Sequence, residues 1–170
     1  MDERDLLLEF LASQRDGVRR AALGLSDQQA TARPTAGQLS IGGLVKHLAR
    51  TERGWFSVIL AGRPDPAPDR AQHWDEEFTV LPGETLAGHL AAYEEVARET
   101  AEVVRALPDL ELMVPLPEAP WFPPGAKVSA RWILLHMIEE TARHAGHADI
   151  VRESLDGATA LDLSAAAQGG

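Results

Sequence analysis

Four long segments with helical periodicity, separated by proline-rich connections, most constrain the fold of this chain. Apolar residues recur at spacings of three and four over residues 4–25, 41–61, 85–107 and 130–155. Prolines interrupt the chain after the second and third segments, and proline is incompatible with a helix interior. No stretch of the sequence predicts a sheet. Four amphipathic helices with polar connections predict an all-α fold, a four-helix bundle.

Residues suited to helix ends mark the limits of these segments. Ser40 and Ser129 precede the second and fourth predicted helices and are good N-cap residues. Gly157 suits the left-handed cap that ends many helices. The two long connections, after the second and third helices, favour crossovers over tight hairpins. We therefore predict one helical-bundle domain over residues 1–157 and a flexible C-terminal tail over 158–170.

Charge and composition limit the classes of function. The 170 residues carry a formal net charge of -10, and an acidic chain lacks the basic patch that binds nucleic acid or an anionic membrane surface. We see no secretory signal and no apolar run of the roughly 20 residues that span a bilayer, so we expect a cytoplasmic protein. The absence of cysteine excludes disulfides, cysteine zinc ligands and a cysteine nucleophile. Any metal must be bound by His, Asp or Glu.

The fourth predicted helix contains a concentration of ionisable residues, HMIEETARHAGH at positions 136–147. At roughly 100° per residue, His136, Glu140, His144 and His147 fall within an arc of about 80° that also carries apolar side chains. These residues therefore face the core, where a carboxylate without a cationic partner costs several kcal/mol. A divalent metal would satisfy Glu140 and His144 together, because residues at i and i+4 lie on one side of a helix.

A third ligand is needed from another helix, because two ligands are too few for a tight site. His47 is the best candidate, since it borders the apolar stripe of the second predicted helix. His89 is less well placed, and His73 lies in a polar loop where we expect it to be exposed. The alternative is a polar core network without a metal, with His47 as a structural residue and Glu140 protonated or paired with Arg143. Spacing alone leaves both interpretations open.

Two sequences carry a resemblance to a known group of proteins: GLVKHLARTERGWF around His47, and LLHMIEETARHAGHADIVRESLDG in the fourth predicted helix. They resemble the DinB-like superfamily, which includes the metal-binding domain of mycothiol-dependent maleylpyruvate isomerase and the bacillithiol or mycothiol S-transferase-like proteins. The resemblance covers nearly the whole chain. It implies a four-helix bundle in an up-down-down-up arrangement and a divalent metal bound by one residue of the second helix and two of the fourth.

These ligand positions fall on His47, Glu140 and His144 in this chain. Many members use three histidines, whereas this sequence matches a His/Glu/His variant; His136 with Glu140 is the alternative fourth-helix pair. Zinc is the first expectation, because two histidines and one carboxylate leave room for water as the fourth ligand. Nickel, iron and manganese also accept such ligands. We expect His136 and His147 to support the ligands through contacts to their rings and to leave the metal itself to the other three.

The resemblance further implies a metal-activated small-molecule thiol, of the mycothiol or bacillithiol type, that adds to an electrophile. The protein would then be an S-transferase or isomerase and a homodimer. Candidate residues at the mouth of the site are Trp55, Arg143 and Trp121. Two alternatives stand beside this hypothesis. One is a non-catalytic metal-binding or stress-related bundle, and the other is a metal hydrolase in which water is the bound nucleophile.

Overall fold

Helices dominate the computed structural model, which describes residues 2–119 and 122–168. The helices are α1 (Glu3–Ala21), α2 (Asp27–Thr31), α3 (Ile41–Arg53), α4 (Leu86–Ala106), α5 (Ala130–Asp156) and α6 (Ala160–Gln168). A π-helical segment, Gly54–Leu60, continues α3, and a 3-10 segment, Arg70–Glu76, lies between α3 and α4. The four long helices α1, α3, α4 and α5 match the four predicted segments, so the predicted all-α class is confirmed.

The predicted helix ends are largely those of the structure. The Ser40 hydroxyl accepts a hydrogen bond from the N–H of Gly43 at the start of α3, and Ser129 caps α5 in the same way. Gly157 ends α5 in the left-handed conformation, with φ 80°. The first helix ends earlier than predicted, since Gly24 adopts a positive φ of 72° that ends the helical path. Ser26 and Gln29 then form a capping box that starts the separate helix α2.

The structure also contains a small sheet, which no stretch of the sequence predicted. β1 (Met113–Pro115) and β2 (Lys127–Ser129) pair antiparallel, with Val114 opposite Val128. The sheet closes the proline-rich connection between α4 and α5. Strands of three residues are too short to show the alternation from which a strand is predicted.

Contacts at both ends of α1 and α5 show that these two helices run parallel. Arg131 at the start of α5 pairs with Glu3 at the start of α1, at 2.7 Å. Near the other end, Arg152 donates a hydrogen bond of 2.9 Å to the carbonyl of Ala21. Both helices therefore point in the same direction along the bundle.

Helices α3 and α4 also run parallel to each other. Lys46 in α3 contacts Glu84, just before α4 begins, and Arg53 at the end of α3 contacts Glu99 farther along α4. The pair is antiparallel to α5, because His47 early in α3 contacts Glu140, whereas the later Trp55 contacts Trp132 and His136. The order of directions is therefore up-down-down-up, as the family resemblance implied.

A buried charged group lies inside the bundle between three helices. Glu52 of α3 has no exposed side-chain surface and pairs with Arg15 of α1 at 2.5 Å. The hydroxyl of Thr100 in α4 donates to the same carboxylate at 2.6 Å. Aliphatic and aromatic core residues, including Leu11 and Phe56, lie in the same buried interior. The ion pair is thus almost entirely removed from solvent, and removing either partner alone should cost several kcal/mol of stability.

The connection between α3 and α4 packs tightly against the start of α3. A Cβ atom added to Gly43 would lie only 2.0 Å from the carbonyl oxygen of Phe78, and one added to Gly42 would lie 2.8 Å from Val80. Lys46 donates a hydrogen bond of 2.9 Å to the carbonyl of Thr79. The paired glycines therefore allow the segment around Phe78 to lie directly on α3.

The tail beyond α5, which was predicted to be flexible, contains the short helix α6. Leu163 in this helix is buried, and α6 packs against α1. The placement of a domain boundary after Gly157 stays a prediction. Within the described parts of the chain, no helix is both long enough and apolar enough to span a membrane.

Candidate metal centre

Three predicted ligands from two helices meet in the structure. Nε2 of His47 in α3 lies 3.2 Å from Oε1 of Glu140 in α5, and Nε2 of His144 lies 3.1 Å from the same oxygen. One potential ligand atom from each residue lies within 4.8 Å of the others. The i, i+4 spacing of Glu140 and His144 places both on the side of α5 that faces His47. The structure thus brings together the predicted set, whose role as ligands stays a prediction.

The cluster lies at the edge of the core. The side chains of His47 and His144 are 4% and 10% exposed, whereas that of Glu140 is 23% exposed. Solvent or a small molecule would therefore reach the cluster on the side of Glu140. The two imidazoles are held by the surrounding helices, which limits their movement.

Electrostatic interactions within the cluster shift the pKa values of two of its members. Hydrogen bonds with His144 and His47 hold the pKa of Glu140 well below its usual range. Burial lowers the pKa of His47, but the neighbouring carboxylates of Glu140 and Glu77 raise it by more, so the net shift is upward. The cluster therefore holds an ionised carboxylate between two imidazole rings, an arrangement that favours a bound cation.

Aromatic residues of the α3–α4 connection surround His47. The ring of Phe78 stacks on the ring of His47, with centroids 4.1 Å apart and planes 26° apart. The ring of Trp74 meets His47 edge-on at 6.3 Å. The connection therefore covers the face of His47 and limits rotation of its ring.

The two histidines that were predicted to support the ligands, His136 and His147, differ in their contacts. Nδ1 of His147 lies 3.2 Å from Nδ1 of His144, on the ring nitrogen of His144 that does not face Glu140. Burial and the nearby His144 lower the pKa of His147. His136 instead stacks on Trp132, with centroids 4.9 Å apart, and meets Trp55 edge-on at 5.0 Å. These contacts of His136 are with tryptophans and not with a ligand ring, as that of His147 is, and its support of the ligands stays a prediction.

The three residues that were predicted to line the mouth of the site, Trp55, Arg143 and Trp121, differ in their exposure and contacts. Trp55 is nearly buried and contacts the ring of His136, one turn of α5 away from Glu140. Arg143 is exposed and pairs with Glu139 at 3.8 Å, so its substrate role stays a prediction. Trp121 lies outside the described residues.

Two histidines that the sequence placed outside the site lie elsewhere. His73 is exposed, as expected, and its Nε2 lies 3.7 Å from Asp69. His89 lies 3.3 Å from Glu84, which also pairs with Lys46. Each of these two rings therefore lies beside a carboxylate that is outside the three-residue cluster.

Two residues beside His47 were missed by sequence reasoning, Glu77 and Phe78. Both lie in the irregular connection between α3 and α4, which was treated as a polar loop. The fully buried Glu77 is 3.6 Å from Nδ1 of His47 and pairs with Arg50 and Arg70. No periodic pattern marks a residue that reaches a site from an irregular segment. The Gly42-Gly43 pair, which permits close approach to α3, is the one local signal.

The donor set fits a divalent metal with an open coordination position. Imidazole nitrogens and a carboxylate oxygen suit zinc, nickel, iron and manganese. The only cluster of three or more potential ligands found among the described residues is that of His47, Glu140 and His144. Catalytic zinc sites commonly use three protein ligands and leave a position for water or substrate, whereas structural sites use four.

Comparisons with known proteins agree with this fold. A solved structure titled as a conserved protein from Enterococcus faecalis matches with a TM-score of 0.67 and 20% identity, covering 93% of this chain and 99% of the other. At that identity the likeness shows the fold alone. A search of curated proteins found no match. A family model described as mycothiol S-transferase matches residues 6–157. Since this match spans most of the chain, the protein belongs to the mycothiol S-transferase family, as the DinB-like sequence resemblance indicated.

Proposed function

We propose that this protein is a divalent-metal-dependent transferase that uses a small-molecule thiol, with His47, Glu140 and His144 as the metal ligands. The convergence of these three donor groups within 4.8 Å carries the proposal. The chain has no cysteine of its own, so a sulfur nucleophile must come from a second molecule. Membership of the mycothiol S-transferase family supports a thiol of the mycothiol type.

The metal would supply Lewis acidity, which lowers the pKa of a thiol and makes the thiolate available near neutral pH. The residues of the chain would hold that ion in a fixed position. His47 and His144 offer neutral nitrogen ligands. Glu140, with its lowered pKa, is ionised across the working pH range and offsets part of the positive charge. In the transfer, the thiol sulfur would form a bond to an electrophilic carbon while the bond between that carbon and its leaving group breaks. The leaving group would depart with the electron pair of that bond, and the thiol proton would go to a base or to the leaving group.

An aromatic wall beside Glu140 supports a site for the electrophile. Trp132 and His136 stack on each other, and Trp55 meets both rings at 5.6 and 5.0 Å. Along α5, Trp132, His136 and Glu140 recur every four residues, so they lie on one face of the helix. A planar or apolar part of the electrophile would pack against these rings while its reactive carbon faces the metal.

A thiol-consumption assay tests the proposal. Tag-free protein is loaded separately with zinc, nickel, ferrous iron or manganese and mixed with mycothiol or bacillithiol and a model electrophile. We expect metal-dependent loss of free thiol with the wild type and with His73→Ala, an exposed control, and no such loss with His144→Ala. Full activity of His144→Ala, or equal activity of metal-free protein, would contradict the proposal. Metal-dependent ester cleavage without thiol would instead support a hydrolase.

A further inference from the structure

The two ring nitrogens of His47 have different surroundings. Nε2 lies 3.2 Å from Glu140, on the side of the proposed metal ligands. Nδ1 is buried, has no hydrogen-bond partner among the described residues, and lies 3.6 Å from Oε2 of Glu77. Since the two nitrogens of an imidazole point in divergent directions, Glu77 lies on the far side of the ring from Glu140 and His144. Glu77 therefore cannot share a metal with them through the position that Nε2 faces.

Glu77 is a fully buried carboxylate that is held by cations. Its side chain has no exposed surface, and it pairs with Arg50 at 3.0 Å and with Arg70 at 2.6 Å. Burial raises the pKa of Glu77, but His47 and the two arginines lower it by more. Arg70 is itself held by a hydrogen bond of 2.8 Å to the hydroxyl of Thr51 in α3. The carboxylate is thus ionised at neutral pH and fixed beside His47.

The helix that carries His47 also fixes the backbone around Glu77. The carbonyl of Phe78 lies against Gly43, where a Cβ would approach it to 2.0 Å. One residue later, the carbonyl of Thr79 accepts a hydrogen bond from Lys46. Glu77 and His47 are therefore both anchored to α3, and their relative position depends little on the rest of the bundle.

We infer that Glu77 is a positioning residue of the metal centre: its carboxylate accepts a hydrogen bond from Nδ1–H of His47. This bond fixes the ring tautomer in which Nε2 is free to bind the metal. A histidine that binds a metal through one nitrogen usually donates its other N–H to a carboxylate, carbonyl or water. The inference rests on the proposed function, since it requires His47 to bind a metal. In the structure Nδ1 of His47 and Oε2 of Glu77 lie 3.6 Å apart, slightly beyond the usual hydrogen-bond range.

A cobalt titration with a matched pair of substitutions tests the inference. Glu77→Gln removes the charge beside His47. Glu84→Gln makes the same change in the same connection, at a carboxylate that pairs with Lys46 and His89 and not with His47. Co²⁺ binding is followed by its visible absorption, and Zn²⁺ affinity by competition. We expect Glu77→Gln to lower the affinity for both metals by roughly 10–100-fold. It should also change the absorption spectrum of bound cobalt, whereas loss of a purely structural contact would leave that spectrum unchanged. Glu84→Gln should bind within about twofold of the wild type.

The outcomes separate this inference from the proposed function. Wild-type protein that binds no metal would refute both. Metal binding by the wild type with an unchanged affinity and spectrum in Glu77→Gln, or an equal loss in Glu84→Gln, would refute only the role of Glu77.

A second measurement requires no substitution, so it holds even if Glu77→Gln fails to fold. Long-range ¹H–¹⁵N correlation spectra of zinc-loaded wild-type protein report the tautomer of each histidine. We expect a protonated Nδ1 and a metal-bound Nε2 on His47. A metal-bound or unprotonated Nδ1 would overturn the inference.

Discussion

Substituting Gly43 with alanine tests the close contact that holds the α3–α4 connection over His47. An added Cβ would lie 2.0 Å from the carbonyl oxygen of Phe78 and 3.0 Å from the hydroxyl of Ser40. Real Cβ atoms essentially never approach another heavy atom within 3.0 Å. Because the first of these atoms belongs to the backbone, it cannot rotate away. The backbone at Phe78 must therefore move by about 1 Å or more, at the cost of overpacking.

The size of the effect follows from two opposing contributions. Replacing glycine by alanine within a helix normally stabilises a protein by roughly 0.5–1 kcal/mol. Overpacking costs roughly 1–3 kcal/mol, and a clash with backbone places Gly43→Ala near the upper end, for a net loss of about 2 kcal/mol. Gly146 in α5 is the matched control, because a Cβ there would meet nothing within 4 Å. Gly146→Ala should therefore gain roughly 0.5–1 kcal/mol.

Urea denaturation of the two metal-free variants beside the wild type measures this contrast. The free energies of unfolding should differ by about 3 kcal/mol, or roughly 6–12 °C in Tm. Because the ring of Phe78 stacks on His47, Gly43→Ala should also weaken metal binding, whereas the fold of the other helices should persist. Stability of Gly43→Ala equal to or above that of the wild type, with unchanged metal affinity, would show that the backbone at Phe78 does not pack on Gly43 as described.

Three further predictions concern the core, the pH dependence and the loop. Arg15→Met should lower the free energy of unfolding in urea by about 3–5 kcal/mol, because it leaves the buried Glu52 without its cation; a cost below that of the double variant Arg15→Met/Glu52→Met, which removes both charges, would contradict this. Metal must displace a proton from His47, whose pKa is raised, so metal affinity should fall as the pH decreases from about 8 to about 6. Equal affinity at both pH values would argue against His47 as a ligand. His73→Ala should leave metal content unchanged, since this ring is exposed and faces Asp69; loss of metal would mean that the loop contributes a ligand.

The long helices could be predicted because local signals specify them. Ser40, Ser129 and Gly157 mark their ends by hydrogen-bonding and backbone preferences that act within a few residues. The capping box at Ser26 and Gln29 was an equally local signal for α2 that the prediction did not use. The strands β1 and β2 gave no such signal, since each has only three residues and their pairing depends on a distant partner.

Part of the candidate site was also predictable from periodicity. The spacing of Glu140 and His144 places them on one side of α5, and His47 borders the apolar stripe of α3, so helix packing brings the three together. The contacts of Glu77 and Phe78 with His47 were not predictable in this way. They depend on how an irregular connection packs against Gly42 and Gly43, which is a tertiary property that no repeat in the sequence encodes.

Buried charges show the same limit. The Arg15–Glu52 pair lies inside the bundle, although both residues belong to types that are rarely fully buried. Helical periodicity places Arg15 between Leu11 and Val18, on the apolar stripe of α1, and places Glu52 on that of α3. It does not show which partner would neutralise each charge. Their burial follows from pairing across α1 and α3, which becomes visible only in the folded structure.

The metal site itself can be tested by measuring the metal content of tag-free protein. Wild-type protein, Glu140→Ala and Glu139→Ala are purified without added metal, and the metal content of each is measured by inductively coupled plasma mass spectrometry. Glu139 is the neighbouring exposed carboxylate of α5, outside the three-residue cluster, and serves as the matched control. The account predicts about one divalent metal ion per chain in the wild type and in Glu139→Ala, with a clear loss in Glu140→Ala. Absence of metal in the wild type even after reconstitution with zinc, nickel and ferrous iron, or full retention in Glu140→Ala, would contradict it.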